Sequence, residues 1–203
     1  MNLHRTSAKP DWETVSPQDR TPLQRLAAKT YGIITPPNII SLIGLGIVIY
    51  GLIALIQQQF LIGLIALVVG RLLDIADGWV ADMTGTKSPL GELLDATIDK
   101  IVTFLTLIVL FIAGVSEWWL LALLLLPQIP ISLFALYKRQ RRQPLHPTRF
   151  GKFSMAGLWV GVSALLVAEA ASQPWFYVTA NGIVFIASAL AWMALWQYVT
   201  GRD

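Results

Sequence analysis

The sequence predicts an all-α integral membrane protein with six transmembrane helices and an N-terminal amphipathic interfacial helix. Three observations support this fold class. The chain of 203 residues is 55% hydrophobic and only 13% charged, whereas a soluble domain carries about 25% charged residues. Its apolar residues fall into long blocks, each of a length that crosses a bilayer. All basic residues lie on one side of the predicted membrane, which is typical of a multi-pass membrane protein.

The N-terminal part of the chain is polar and precedes the first apolar block. Residues 1–20 have mixed charge and are expected to form a flexible segment that lacks the apolar core of a signal peptide. Residues 21–34 predict an amphipathic juxtamembrane helix, with Leu23 and Leu26 on the side opposite Lys29. This helix either lies on the membrane surface or simply leads into the first span.

The rest of the chain, residues 35–203, predicts one membrane domain of six helices. The connections between the apolar blocks are short, so consecutive helices are expected to pack antiparallel. The predicted spans are residues 39–56, 60–81, 90–113, 118–137, 153–171 and 175–199.

The basic residues indicate how these spans are oriented. Six crossings place both termini on the same side, and all 15 Lys and Arg residues map to that side. The opposite loops, near residues 57–59, 114–117 and 172–174, contain none. Because cytoplasmic loops of membrane proteins carry the excess of Lys and Arg, the basic side is predicted to be cytoplasmic. The basic segments therefore do not indicate binding to nucleic acid.

Four carboxylates interrupt the second and third spans. Asp74 and Asp77 are three residues apart, and Asp95 and Asp99 are four apart, so each pair shares one face of a helix. The two helices are joined by a loop of a few residues and must be neighbours. Carboxylates in apolar helices cost free energy and usually serve a function. Both acidic faces are therefore expected to point into one cavity.

Divalent cations are the expected partners of these carboxylates. Four unpaired carboxylates at one site would repel each other, and the nearby Arg71 and Lys100 are not expected to neutralise them. The chain has no cysteine, and His4 and His146 lie in polar, basic segments where a solvated side chain is the simpler interpretation. Oxygen ligands favour two Mg²⁺ or Mn²⁺ ions, which is the usual arrangement for displacement at phosphorus.

The acidic segments carry a family resemblance. The sequence DIADGWVA at residues 74–81, followed by GELLDATID at residues 91–99, resembles the signature D-x2-D-G-x2-A-R, eight residues, G-x3-D-x3-D of the CDP-alcohol phosphotransferase (CDP-alcohol phosphatidyltransferase) family. The spacing matches throughout, and one fixed residue differs. The Arg that follows the Ala in the signature is Asp82 in this chain, which puts the affinity for the donor in question.

The resemblance implies a membrane enzyme of phospholipid biosynthesis in a bacterial inner membrane, with a cytoplasmic active site. Such an enzyme moves a phosphatidyl-type group from a CDP-linked lipid donor, such as CDP-diacylglycerol, to an alcohol or phosphorylated alcohol and releases CMP. It further implies a homodimer surrounded by membrane lipids, with Asp99 as the catalytic base. The implied metal ligands are Asp74, Asp77, Asp95 and Asp99, and the implied nucleotide-binding residues are Asn38, Asp74, Gly78, Ala81 and Gly91.

Two shorter patterns bear on the acceptor. The segment RFGKFS at residues 149–154 and the pair Asp99-Lys100 are similar to the phosphatidylglycerophosphate synthase and cardiolipin synthase branch. Glycerol 3-phosphate is therefore the expected acceptor, and its phosphate needs a cationic pocket. The candidates for that pocket are Arg149, Lys152, Lys138 and Arg139. The alternative interpretation is that these residues only determine topology and meet anionic lipid.

Three other functions stay open at this stage. A membrane prenyltransferase also binds a diphosphate through acidic helices and Mg²⁺, but it normally has two separate acidic motifs. A divalent-cation transporter also uses carboxylates within the membrane, but its site should lie near the midplane and often recurs in repeated halves. A catalytically weakened family member is suggested by Asp82 alone.

Overall fold

A computed structural model describes residues 10–140 and 149–200, which contain helices and no strand. A short 3₁₀ helix, Asp11–Glu13, precedes seven α-helices. The predicted all-α fold is thus confirmed for the described residues, and each predicted span corresponds to one helix. The helices are α1 (Pro22–Lys29), α2 (Pro36–Ile56), α3 (Phe60–Thr84), α4 (Pro89–Ile112), α5 (Trp118–Gln140), α6 (Arg149–Ala171) and α7 (Pro174–Thr200).

Three helices are long and apolar enough to cross a membrane: α2, α6, and α7 from Trp175 onward. Helices α3 and α4 have 25 and 24 residues, which is sufficient length, but the charged residues described above interrupt their apolar sequence. In α5, the apolar stretch Trp118–Phe134 is shorter. Six crossings therefore remain a prediction.

The chain divides into two compact units, and each is described separately below. The first unit contains the described residues up to Ile53 together with Ile65–Thr106. The second contains Ala54–Leu64 and the described residues from Leu107 onward.

Small residues bring α2 and α3 together in the first unit. A Cβ atom added to Gly70 of α3 would lie 2.3 Å from Cγ2 of Val48 and 3.4 Å from the carbonyl oxygen of Gly44, both in α2. Only a residue without a side chain fits at this distance. Close approach through small residues is the usual way that helices pack within a membrane.

A tight turn joins α3 to α4 and sets the two acidic faces side by side. Gly85 has a φ of +59°, a left-handed conformation that ends α3. At the start of α4, the Ser88 hydroxyl accepts a hydrogen bond of 2.9 Å from the Gly91 N–H, and Pro89 takes the first helical position. Ser88 is therefore the N-cap of α4, and Pro89 occupies the first-turn position in which proline is favoured.

Residues 10–20 differ from the flexible segment expected for the N-terminus. Trp12 is only 4% exposed, and its ring packs against Gly32, where an added Cβ would lie 2.9 Å from it. The Asp11 N–H donates to the Lys87 carbonyl at 3.0 Å, and the Lys87 N–H donates to the Asp11 carboxylate at 3.2 Å. This part of the N-terminal segment is therefore attached to the turn between α3 and α4.

The juxtamembrane helix is shorter than the predicted residues 21–34. Helix α1 begins with a capping box between Thr21 and Gln24 and ends at Lys29. It ends early because Tyr31 and Gly32 both take positive φ values, of 53° and 79°. Leu23 and Leu26 point outward, each 41% exposed, as expected if α1 meets lipid.

In the second unit, α6 packs closely against α7. A Cβ atom on Gly161 would lie 2.6 Å from Cγ2 of Val184, and the Ser154 hydroxyl donates to the Ala187 carbonyl at 3.0 Å. Helix α5 joins them through the Ser188 hydroxyl, which donates to the Leu123 carbonyl at 2.9 Å.

Candidate metal centre

Three carboxylates converge between α3 and α4. Asp74, Asp77 and Asp95 each offer an oxygen atom, and these three oxygens lie within 4.8 Å of one another. We call these three residues the acidic cluster. The i, i+3 spacing places Asp74 and Asp77 one turn apart on α3, and the short turn from Gly85 to Ser88 brings Asp95 of α4 opposite them. Sequence spacing alone led us to expect this convergence.

The cluster is enclosed on one side and open on the other. Asp77 is 4% exposed and Asp95 is exposed, with Asp74 between them. The Ser41 hydroxyl of α2 donates a hydrogen bond to Oδ2 of Asp77. This hydrogen bond fixes the most buried carboxylate, while the α4 side of the cluster stays open to a ligand.

Arg71 forms ion pairs with two of the four motif carboxylates, although its single positive charge cannot neutralise all four. Its Nη1 atom lies 2.6 Å from Oδ2 of Asp74 and 2.6 Å from Oδ1 of Asp99. Helix spacing relates Arg71 to Asp74 alone. Only the packing of α3 against α4 brings Asp99 within reach of the same guanidinium group.

Asp99 lies beside the acidic cluster and is not part of the group of three. It is one turn beyond Asp95 on α4, and its side chain is 24% exposed. The ion pair with Arg71 connects Asp99 to Asp74. All four acidic residues of the sequence motif are therefore near one another, but three of them converge and the fourth is paired with an arginine.

The ligand chemistry of the cluster suits a hard divalent cation. All three groups are carboxylates, and oxygen ligands select Mg²⁺ or Mn²⁺ over softer metals. Two of the three are also partly or wholly removed from water, where a charged carboxylate is costly without a counter-ion. The residues present thus fit a bound divalent ion.

The residues expected to bind the nucleotide have different surroundings in the structure. Gly78 has nothing within 4 Å of an added Cβ, so space is open beside Asp77. Ala81 is buried. The Asn38 amide donates to the carbonyls of Gly32 and Ile33 at 2.9 and 3.0 Å.

Gly91 lies close to this asparagine. A Cβ on Gly91 would lie 3.2 Å from the Ser88 hydroxyl and 3.3 Å from Oδ1 of Asn38. Asn38 therefore holds the loop before α2 and lies against the first turn of α4, and the close packing of Gly91 supports that turn.

Asp82, which replaces the Arg of the family signature, has a cationic partner. Nζ of Lys87 lies 2.5 Å from Oδ1 of Asp82, with side chains 41% and 59% exposed. An exposed pair of this kind contributes little stability. It does place a basic group next to position 82, near the turn between α3 and α4.

The residues expected to bind the acceptor belong to the second unit. Arg149 begins α6, and Lys152 follows in its first turn; both are exposed. Lys138 and Arg139 fall in the last turn of α5, and their side chains lie outside the described part of the structure.

Comparison with known proteins adds independent information. The chain matches the family model described as CDP-alcohol phosphatidyltransferase over residues 34–199. Proteins named as cardiolipin synthases in Mycobacterium tuberculosis and Mycobacterium bovis are each 28% identical over 172 residues, which is 82% of this chain and 80% of theirs. A protein named archaetidylinositol phosphate synthase in Pyrococcus horikoshii is 32% identical over 105 residues, which is 51% of this chain and 55% of its own.

Proposed function

The chain belongs to the CDP-alcohol phosphatidyltransferase family, and we propose that it transfers a phosphatidyl group from CDP-diacylglycerol to glycerol 3-phosphate with release of CMP. Family membership makes it a membrane enzyme of phospholipid biosynthesis that uses a CDP-lipid donor and an alcohol acceptor. The particular donor and acceptor are our proposal. Membership also sets aside the prenyltransferase and transporter alternatives.

The observation that carries the proposal is the convergence of Asp74, Asp77 and Asp95 within 4.8 Å. We propose that these three residues, together with Asp99, hold two divalent ions, Mg²⁺ or Mn²⁺. Bound there, the ions neutralise the diphosphate of the donor and stabilise the negative charge on the leaving CMP. The open space beside Gly78 leaves room for the nucleotide to approach the α3 backbone.

Asp99 is proposed as the general base. A carboxylate can take the proton of the acceptor hydroxyl as the oxygen attacks phosphorus. Its ion pair with Arg71, at 2.6 Å, orients the carboxylate. The side chain is partly exposed, so an acceptor can reach it.

Basic residues are proposed to bind the phosphate of the acceptor. Arg149 and Lys152 are exposed at the start of α6, and a guanidinium group suits a phosphate through two parallel hydrogen bonds. Lys138 and Arg139 are proposed to add positive charge to the same pocket. Lys87, beside Asp82, is proposed to supply the positive charge that the signature Arg would have contributed near the donor.

A second acceptor is favoured by one specific observation. The relatives that cover 82% of the chain are named as cardiolipin synthases. Phosphatidylglycerol is therefore the second candidate acceptor. The archaeal relatives carry a different product in their names, so an inositol phosphate is also worth testing.

We place the enzyme in a bacterial inner membrane with six crossings and with its termini and active site in the cytoplasm. The lengths and apolar composition of α2, α6 and α7 and the one-sided distribution of Lys and Arg support this placement. The amphipathic residues 21–34 are proposed to lie at the interface, before a membrane domain formed by residues 35–203. A homodimer is proposed from the family resemblance.

The test is CMP release from CDP-diacylglycerol by the purified protein with Mg²⁺ or Mn²⁺. Glycerol 3-phosphate, phosphatidylglycerol, inositol phosphate and serine would be offered as separate acceptors. We expect metal-dependent release with glycerol 3-phosphate. Release with phosphatidylglycerol alone would establish the second candidate, and no release with any acceptor would contradict the proposed activity.

A further inference from the structure

Arg71 occupies an unusual position, between carboxylates of two different helices. One nitrogen atom, Nη1, contacts Oδ2 of Asp74 on α3 and Oδ1 of Asp99 on α4, each at 2.6 Å. The two oxygens are therefore at most twice that distance apart, which is 5.2 Å. The guanidinium group lies at the junction between the acidic cluster and the proposed base.

In the proposed two-ion centre, Asp74 and Asp99 would also be ligands of the second divalent ion. Two oxygens that share one Mg²⁺ lie at most about 4.2 Å apart, because each Mg–O contact is about 2.1 Å long. A small closure of Asp74 and Asp99 would satisfy this requirement if Nη1 moved out. The arginine and such an ion would compete for the same pair of oxygen atoms.

We propose that Arg71 is a resident counter-cation that competes with the second divalent ion for Asp74 and Asp99. The inference rests on the proposed metal centre and deepens it. Arg71 carries one positive charge, so it offsets part of the repulsion among the acidic side chains when no ion is bound. The same charge must weaken the binding of the second ion, because that ion would need Asp74 and Asp99 as ligands.

A purely structural role for Arg71 predicts the opposite effect. If Arg71 served only to tie α3 to α4, its removal would let Asp99 drift and would weaken ion binding. If it competes with an ion, its removal strengthens the binding of that ion. The direction of the change therefore separates the two roles, and it can be measured without any catalytic assay.

The experiment measures equilibrium binding of Mn²⁺ to the purified protein in detergent. Electron paramagnetic resonance quantifies the free Mn²⁺ at each point of the titration. We expect the wild type to bind one ion more tightly than the other. In Arg71→Met, the weaker ion should bind at least about tenfold more tightly, because a positive charge in direct contact with its ligands is gone. Arg71→Lys keeps the charge, and its weaker ion should stay within about threefold of the wild type.

Arg25→Met is the matched control, because it removes a positive charge from α1, where the Arg25 guanidinium group donates to the Gln18 carbonyl at 3.2 Å. It should leave both affinities unchanged. Unchanged or weaker second-ion binding in folded Arg71→Met would overturn the proposal and leave the metal centre intact. If Arg71→Met does not fold, a tenfold gain in Arg71→Lys would overturn it instead. A wild type that binds no Mn²⁺ would contradict the metal centre itself, and the inference with it.

Discussion

Asp77 is the most enclosed acidic side chain of the candidate site, at 4% exposure. A carboxylate in this setting is costly unless it is paired or hydrogen-bonded. The Ser41 hydroxyl supplies one hydrogen bond, and an oxygen of Asp77 lies within 4.8 Å of oxygens of Asp74 and Asp95, where an ion would bind it. A metal ligand that is held by a neighbouring hydroxyl is better oriented than a free one.

Replacement of Ser41 by Ala should therefore weaken Mn²⁺ binding. Loss of a group that orients a metal ligand typically lowers affinity by about 10- to 100-fold. Titration of the purified variant with Mn²⁺ measures this change. Ser41→Thr keeps the hydroxyl and should stay close to the wild type; equal losses in both variants would show that bulk, and not the hydrogen bond, matters at this position.

Asp99→Asn tests the proposed base. The amide keeps the shape of the side chain but cannot accept the proton of the acceptor, so the rate of CMP release should fall by about 10²- to 10⁴-fold. The assay uses saturating Mg²⁺ so that any loss of ion affinity is compensated. A variant that retains near-normal release under these conditions would exclude Asp99 as the base.

Helix packing in the first unit depends on one glycine. Gly70 contacts α2 so closely that an added Cβ would lie 2.3 Å from Val48. Because Asp74 lies one turn after Gly70 and Ser41 lies on α2, this contact sets the distance between Ser41 and the acidic face of α3. The one-turn spacing of Gly70 and Asp74 thus connects the packing of α3 against α2 with the position of the carboxylates.

Gly70→Ala should destabilise the protein by about 1–3 kcal/mol, the usual cost of adding a methyl group to a packed interface. Thermal unfolding in detergent would detect this loss. The double variant Gly70→Ala, Val48→Ala removes the methyl group that the new Cβ meets, and it should recover part of the stability. Destabilisation that is simply additive in the double variant would contradict this packing.

Local sequence signals were sufficient to predict most helices, but they could not predict contacts between residues distant in sequence. The six apolar blocks and the Ser88-Pro89 start of α4 were readable because length, periodicity and capping are local. The burial of Trp12 was not, because a single aromatic residue in a polar segment gives no sign that its ring packs against Gly32. The convergence of the Asp residues followed from spacing, whereas the contact between Arg71 and Asp99 required the packing of two helices.

At the scale of the whole molecule, the distribution of charge predicts the orientation of the protein in the membrane. The loops predicted on one side of the membrane carry Lys and Arg, and those predicted on the other side carry none. Cytoplasmic loops are the ones that carry such an excess. The proposed active site near the turn between α3 and α4 would then face the cytoplasm, where CMP is released into water.

This orientation can be tested with single cysteines, because the chain has none of its own. Ser172→Cys lies in the turn before α7 and Ser16→Cys lies in the N-terminal segment, and both serines are exposed. A membrane-impermeant maleimide applied to intact spheroplasts should label only Ser172→Cys. Labelling of Ser16→Cys should require permeabilised membranes, and the reverse pattern would invert the proposed topology.

The acidic cluster is the part of the molecule on which the proposed chemistry depends. Anomalous diffraction from crystals grown with Mn²⁺ would locate the ions directly. We expect manganese peaks at about 2.0–2.3 Å from carboxylate oxygens of Asp74, Asp77 and Asp95. A protein that releases CMP while its manganese lies elsewhere, with these three side chains free of metal, would contradict the account.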